Sequence, residues 1–217
     1  MVSDFPWRLV TVDIDGTLTV GHGWRPIAQA FGGLAVFEES NRRFFAQQIG
    51  EDAHLSNLLS IAVGRTVAEV ESILGATPKL GGIREGIASL HERGARVQLL
   101  THNPDYVADW YRRTFGFDGF SAVTAQPVVE GRIGPPAGVH ADKPGALREL
   151  LARERVPARS AVHVGDGRSD AVLFALVGGG VALNSPYPDV RRAADLALTT
   201  SDFRDVVEGI SRLRPRG

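Results

Sequence analysis

Cysteine is missing from all 217 residues, which excludes disulfides, thiolate nucleophiles and cysteine-ligated zinc and suits a reducing, cytoplasmic setting. Lysine is nearly missing too: of 24 basic residues only Lys79 and Lys143 are lysine, and the other 22 are arginine. No charge of either sign dominates, because 25 acidic residues leave a formal charge of -1. With no long-range field, neither nucleic acid nor an anionic membrane is expected as a partner. Long apolar runs are absent as well. The longest nonpolar stretch, 171–183, contains Gly178, Gly179 and Gly180 and falls short of the roughly 20 residues that span a bilayer. It reads as a helix, a turn and a strand. The opening MVSDFPWRLV carries Asp4 and Pro6 where a secretory signal needs a basic start and an unbroken apolar stretch, so no export signal is expected.

What is present, 43% hydrophobic residues in a chain of this length, suffices for one full core and a small insertion. The run 9–14 is rich in β-branched residues and apolar except for Thr11 and Asp13, the pattern of a strand buried on both faces of a parallel sheet. Similar runs at 95–100, 120–124, 160–164, 180–183 and 196–199 alternate with helical patterns at 83–93, 105–115, 144–155, 169–177 and 202–213. Gly94 and Gly116 fit as C-terminal caps. Such alternation predicts a doubly wound α/β sheet. The stretch 20–79 has helical spacing and is too long for a crossover loop, so it is expected to be a helical cap on a core made of 1–19 and 80–217. Residues 126–133, centred on Glu130-Gly131, predict a small β-hairpin. Arg212, Arg214 and Arg216 read as a solvated tail.

Asp13 and Asp15 stand two apart where the first strand runs out, so the pleat points both carboxylates the same way, and Gly16 permits a sharp turn. Ligands of open α/β sheets bind at that edge, where one carboxylate can be a nucleophile and its neighbour can shuttle a proton. The alternative is an Asp-Gly turn with one acid capping a helix. The second cluster, Gly165-Asp166-Gly167-Arg168-Ser169-Asp170, follows another strand and opens a helix, so Asp166 and Asp170 can face a cation, unless Asp166 or Ser169 merely caps that helix. Four carboxylates beside a phosphate dianion call for a hard divalent cation, Mg2+. Asp13, Asp166 and the Asp15 backbone carbonyl would suffice to hold it, with Asp170 behind. Lys143 is a compact ammonium able to neutralise both the attacking carboxylate and phosphoryl oxygens. Thr101, at the end of the second strand, precedes His102, Asn103 and a helix-opening Pro104. Its hydroxyl and the nearby amides could hold phosphoryl oxygens, or Thr101 or Asn103 could cap the helix.

In order, Asp13-x-Asp15-Gly16-Thr17, Thr101, Lys143 and Asp166-Gly167-x-x-Asp170 resemble the haloacid dehalogenase-like hydrolase superfamily, in its phosphoserine phosphatase-like branch. The resemblance covers nearly the whole chain. It implies a Rossmann-like parallel sheet of order 5-4-1-2-3, with Asp13 as nucleophile and Asp15 as acid and then base. Thr101 and Lys143 would bind the phosphate, with Gly16, Thr17, His102 and Asn103 as further phosphate or substrate contacts. Asp13, Asp15, Asp166 and Asp170 would form the Mg2+ site, and the substrate would be a small phosphorylated metabolite. Dehalogenases of the superfamily lack the second acid, so Asp15 implies phosphoryl transfer.

The resemblance weakens where substrate is chosen. That branch typically has Ser-Gly-Gly as its second motif and an acid and an Arg in its cap. Here Thr101-His102-Asn103 and Gly21-His22-Gly23-Trp24 stand instead. Glu38, Glu39, Arg42, Arg43 and Arg65 remain as candidates, and solvated helix faces account for them equally well. Three rivals remain: a phosphotransferase or mutase on the same residues; from another class, a receiver-like phospho-aspartate domain; and a degenerate binding protein that kept the fold, against which stands that no expected catalytic residue is missing. The second fits poorly, since such a domain has no long insertion after its first strand.

Overall fold

The computed structural model describes residues 5–137, 139 and 141–216; the others, Asp4 among them, lie outside the described residues. Strand β1 (Leu9–Val12) is buried at all four positions, as its apolar run requires. It lies between β2 (Arg96–Pro104) and β6 (Ala161–Gly165). The sheet continues to β3 (Gly119–Thr124) on one side and to β7 (Gly179–Leu183) and β8 (Leu196–Leu198) on the other. Every pairing is parallel, in the order β3-β2-β1-β6-β7-β8. Counted along the parallel strands alone and from the β8 edge, this is 6-5-4-1-2-3, the expected order with one more strand.

Alternation along the strands divides the core between the two faces. Val10 and Val12, with Val97, Leu99, Val162 and Val164, pack towards α5 (Ile83–Glu92) and α10 (Phe203–Arg212). Leu9 and Leu100 pack on the other side with Leu147 and Leu150 of α7 (Lys143–Glu154) and Leu173 of α8 (Arg168–Phe174). Each fully buried aliphatic side chain contributes about 1.5–3 kcal/mol. The two faces therefore hold the strand ends in fixed register.

Between β1 and α5 come four helices, α1 (Trp24–Ala30), α2 (Leu34–Phe45), α3 (Glu51–Ser60) and α4 (Val67–Ala76). The chain enters and leaves them at one place: Val20 N–H donates to Pro78 O (3.0 Å) and Leu80 N–H to Leu18 O (3.0 Å). A capping box between Thr66 and Glu69 starts α4. The expected hairpin is β4 (Val128–Val129) and β5 (Arg132–Ile133), turned by Glu130 and Gly131 at φ of 51° and 75°. It also pairs with the helical segment, a contact the sequence reading lacked: Gly64 N–H meets Ile133 O and Ile133 N–H meets Arg65 O, both at 2.8 Å.

Three expectations are corrected. β2 does not end at 100 or at Thr101 but runs to Pro104, with a register shift against β3 between those residues. Pro104 is the N-cap of α6 (Asp105–Phe115), rather than its first residue, and neither Thr101 nor Asn103 caps that helix. The tail is not wholly solvated, because Arg216 N–H donates to Gly178 O at 3.0 Å and its guanidinium lies 3.3 Å from Asp195. Among the described residues no helix is long and apolar enough to cross a membrane.

Candidate active site

Asp13 directly follows β1, and its N–H donates to Val164 O at 2.9 Å, extending the ladder by one residue. Lys143 is the first residue of α7. Asp142 caps that helix by accepting the Gly145 N–H at 2.8 Å, and Pro144 presets its first turn. Thus pinned, Lys143 Nζ donates to Asp13 Oδ1 and to Asp170 Oδ1, each at 2.7 Å. Burial opposes the charge on Lys143, but Asp13 and Asp170 outweigh it and lift the ammonium above its ordinary pKa.

Asp170, on α8, has both oxygens engaged. Oδ1 also lies 3.1 Å from His163 Nε2, and Oδ2 accepts the Gly167 N–H at 2.9 Å. Burial would raise its carboxyl, but Lys143 and His163 hold it well below the usual range, so it stays ionised as the counter-charge of Lys143. Asp166 does not cap α8, whose N-cap is Gly167. Its Oδ1 accepts the Thr17 hydroxyl at 3.1 Å and its carbonyl accepts that of Ser185 at 2.6 Å. A Cβ on Gly16, which has φ of 78°, would stand 2.4 Å from Asp166 Oδ2, so only glycine fits there.

Burial, and then the charge of Asp170, push Asp166 up to about 7. Burial likewise raises Asp13 well above its ordinary value; Lys143 opposes this, while Asp170, Asp166 and Asp15 add to it. Oxygens of Asp13, Asp166 and Asp170 lie within 4.8 Å of one another. An all-oxygen set with excess negative charge fits a hard divalent cation. Since Asp170 is committed to Lys143, His163 and Gly167, the carboxylates that fit as ligands are Asp13 and Asp166.

Asp15 is held separately. Its Oδ1 accepts the Gly23 N–H at 2.9 Å and its Oδ2 the Asn103 amide at 3.0 Å. Asn103 is oriented in turn by the Trp24 indole N–H, which donates to its Oδ1 at 2.8 Å, and by Thr101 Oγ1, 3.0 Å from its Nδ2. Asp13, Asp15, Thr101, His102, Asn103 and Lys143 all line one cavity of about 580 Å³. Gly16 and Thr17 do not line it; Thr17 is fully buried behind Asp166. His102 is pushed down to about 3 by burial and then by Lys143, and its Nδ1 is 3.5 Å from Glu51 Oε1.

The surface candidates stand apart from this cavity. Arg42 pairs with Glu39 at 2.6 Å, Arg25 with Glu38 at 3.2 Å and Arg65 with Glu69 at 3.9 Å, and Arg43 is exposed. His163, Gly23, Trp24, Ser185 and Glu51 were missed by sequence reasoning. Of these only His163 left a signal, a polar residue inside an otherwise apolar strand.

A family model described as haloacid dehalogenase-like hydrolase matches residues 7–178. A phosphoserine phosphatase from Archaeoglobus fulgidus is 24% identical over 181 residues, 82% of this chain, and the chain spans about half, 53%, of that relative's length. A HAD-family hydrolase from Salmonella enterica serovar Typhi superposes with a TM-score of 0.87 at 15% identity, covering 96% of this chain and 73% of that one. A substrate-bound phosphoserine phosphatase gives a TM-score of 0.79 at 20% identity, covering 94% and 98%. The match over residues 7–178, on a sheet of the same fold, means that this chain belongs to the haloacid dehalogenase-like hydrolases.

Proposed function

We propose that the protein is a Mg2+-dependent phosphatase that hydrolyses a small phosphomonoester through a phospho-aspartate at Asp13. The observation that carries this reading is the meeting of Asp13, Lys143 and Asp166, remote in sequence, around one cavity that Asp15 also faces. Asp13 attacks phosphorus in line while the bond to the leaving oxygen breaks, and Asp15 gives that oxygen its proton. Asp15 then takes a proton from water as the water attacks the phospho-aspartate, which releases inorganic phosphate and restores the Asp13 carboxylate and the Asp15 acid. Lys143 neutralises Asp13 and phosphoryl oxygens, and the Thr101 hydroxyl, whose oxygen accepts from Asn103, has its proton left for the phosphate.

Asp13, Asp166 and the Asp15 carbonyl would hold the Mg2+, with Asp170 behind them keeping Lys143 in place. When bound, the cation supplies charge neutralisation between the carboxylates and the phosphate dianion. In this reading the helices within 20–79 act as a cap that closes the cavity over a core of 1–19 and 80–217. The reading is tested with an aryl phosphate, measuring phosphate release with Mg2+ and with chelator. Asp13→Asn is expected to cut turnover by about a thousandfold or more. Undiminished turnover in that variant would remove Asp13 as nucleophile, and phosphate release that needs an added alcohol would favour a phosphotransferase.

A further inference from the structure

The cavity runs from Asp13 into the helical segment, and the chemistry of that far wall bears on the leaving group. Phe44 and Phe45 of α2 and Leu55, Leu58 and Leu59 of α3 make it largely apolar. From residues 20–79 neither Lys nor Arg lines it, and its one carboxylate is Glu51. His54 brings no positive charge at neutral pH, since burial and then His22 push it down to about 4.

The cations nearby are already committed. Lys143 is held between Asp13 and Asp170. Arg168 pairs with Asp189 at 3.0 Å and lies 4.8 Å over the Tyr187 ring. The positive end of α3 is answered by Glu51 and Asp52 in its own first turn. A carboxylate entering this wall would lose hydration and meet no cation from residues 20–79, while Arg168, which lines the cavity, is shared with Asp189. A cation meets the opposite conditions: the Glu51 carboxylate, and the Phe45 ring, whose centroid lies 5.7 Å from that of Phe44 and 6.5 Å from that of Tyr187.

We infer that the substrate is the phosphomonoester of an amino alcohol, with a cationic amine on the leaving-group side and no carboxylate. Glu51 is then the residue that selects it, and the aromatic wall packs its carbon skeleton. This rests on the phosphatase reading and narrows it, and it departs from an amino-acid phosphate such as phosphoserine. The arginines of the neighbouring groove of about 840 Å³, Arg25 and Arg42, are likewise already paired, with Glu38 and Glu39.

The test compares kcat/KM for four esters with Mg2+ present: 2-aminoethyl phosphate, its trimethylammonium analogue, neutral n-propyl phosphate and O-phosphoserine. An aryl phosphate serves as the common reference. Either amine ester is expected to exceed both n-propyl phosphate and phosphoserine by about tenfold or more. In Glu51→Gln the ratio of amine to neutral ester should fall about tenfold, mainly through KM. Phosphoserine turned over as well as the amines would overturn the inference, as would an amine preference that survives Glu51→Gln. Failure to hydrolyse even the aryl phosphate would instead strike the phosphatase reading itself.

Discussion

A methyl group on Gly23 would stand 2.3 Å from Asp15 Oδ1, closer than any tolerated contact, so the Asp15 carboxylate must move if that position gains a side chain. Displacing a reacting group by about 1 Å costs on the order of a hundredfold in rate. Gly23→Ala is therefore expected to lower kcat for an aryl phosphate by about that factor, with Tm close to wild type; rapid turnover would show that Asp15 need not be held there. At this scale the acids and Lys143 were legible in the sequence, because Asp-x-Asp at a strand end and a near-unique lysine point to chemistry by residue type. The support for Asp15 was not. Its amide partner Asn103 is 88 positions away, and the Trp24 that orients Asn103 is a further remote residue, visible in the sequence only as part of a stretch that departs from the resembled branch.

Helices α2 and α3 are joined by a buried pair, with Ser40 Oγ 2.9 Å from His54 Nδ1 and the His54 ring stacked on Phe44 at 4.6 Å. Because His54 falls from its ordinary 6.5 to about 4 in the fold, the unfolded chain binds more protons across that window. Stability from this group is thus fully present above 6.5 and is lost as pH falls towards 4. Thermal unfolding followed between pH 7 and 4.5 should show Tm falling on acidification. His54→Phe, which keeps the stack and leaves Ser40 bonded to Asn57, should flatten that slope; an unchanged slope would assign it to other groups. Most element positions were readable from periodicity and capping. β2 was not, because its last residues are polar: Thr101, His102 and Asn103 extend alongside β3 through a register shift that no hydrophobic pattern encodes.

Across the whole molecule, four separate segments bring Asp13 and Asp15, Asn103, Lys143 and Asp166 to one edge of the sheet, and the site exists only in the folded state. A cation bound there stabilises the native form alone, by about 2.7 kcal/mol at a hundredfold excess over its Kd. Saturating Mg2+ should accordingly raise Tm at pH 7.5, and Asp166→Asn should remove most of that rise; an equal rise in the variant would place the cation elsewhere. By itself the sequence determined the strand and helix alternation, the insertion after β1 and the identity of the acidic groups, because burial periodicity and side-chain chemistry are local properties. Only the tertiary structure decided that Asp170 serves Lys143 more than a metal, that Thr17 stands behind Asp166, and that the helical wall offers Glu51 and no Lys or Arg. Those outcomes depend on distances between residues far apart in the chain, which packing alone sets.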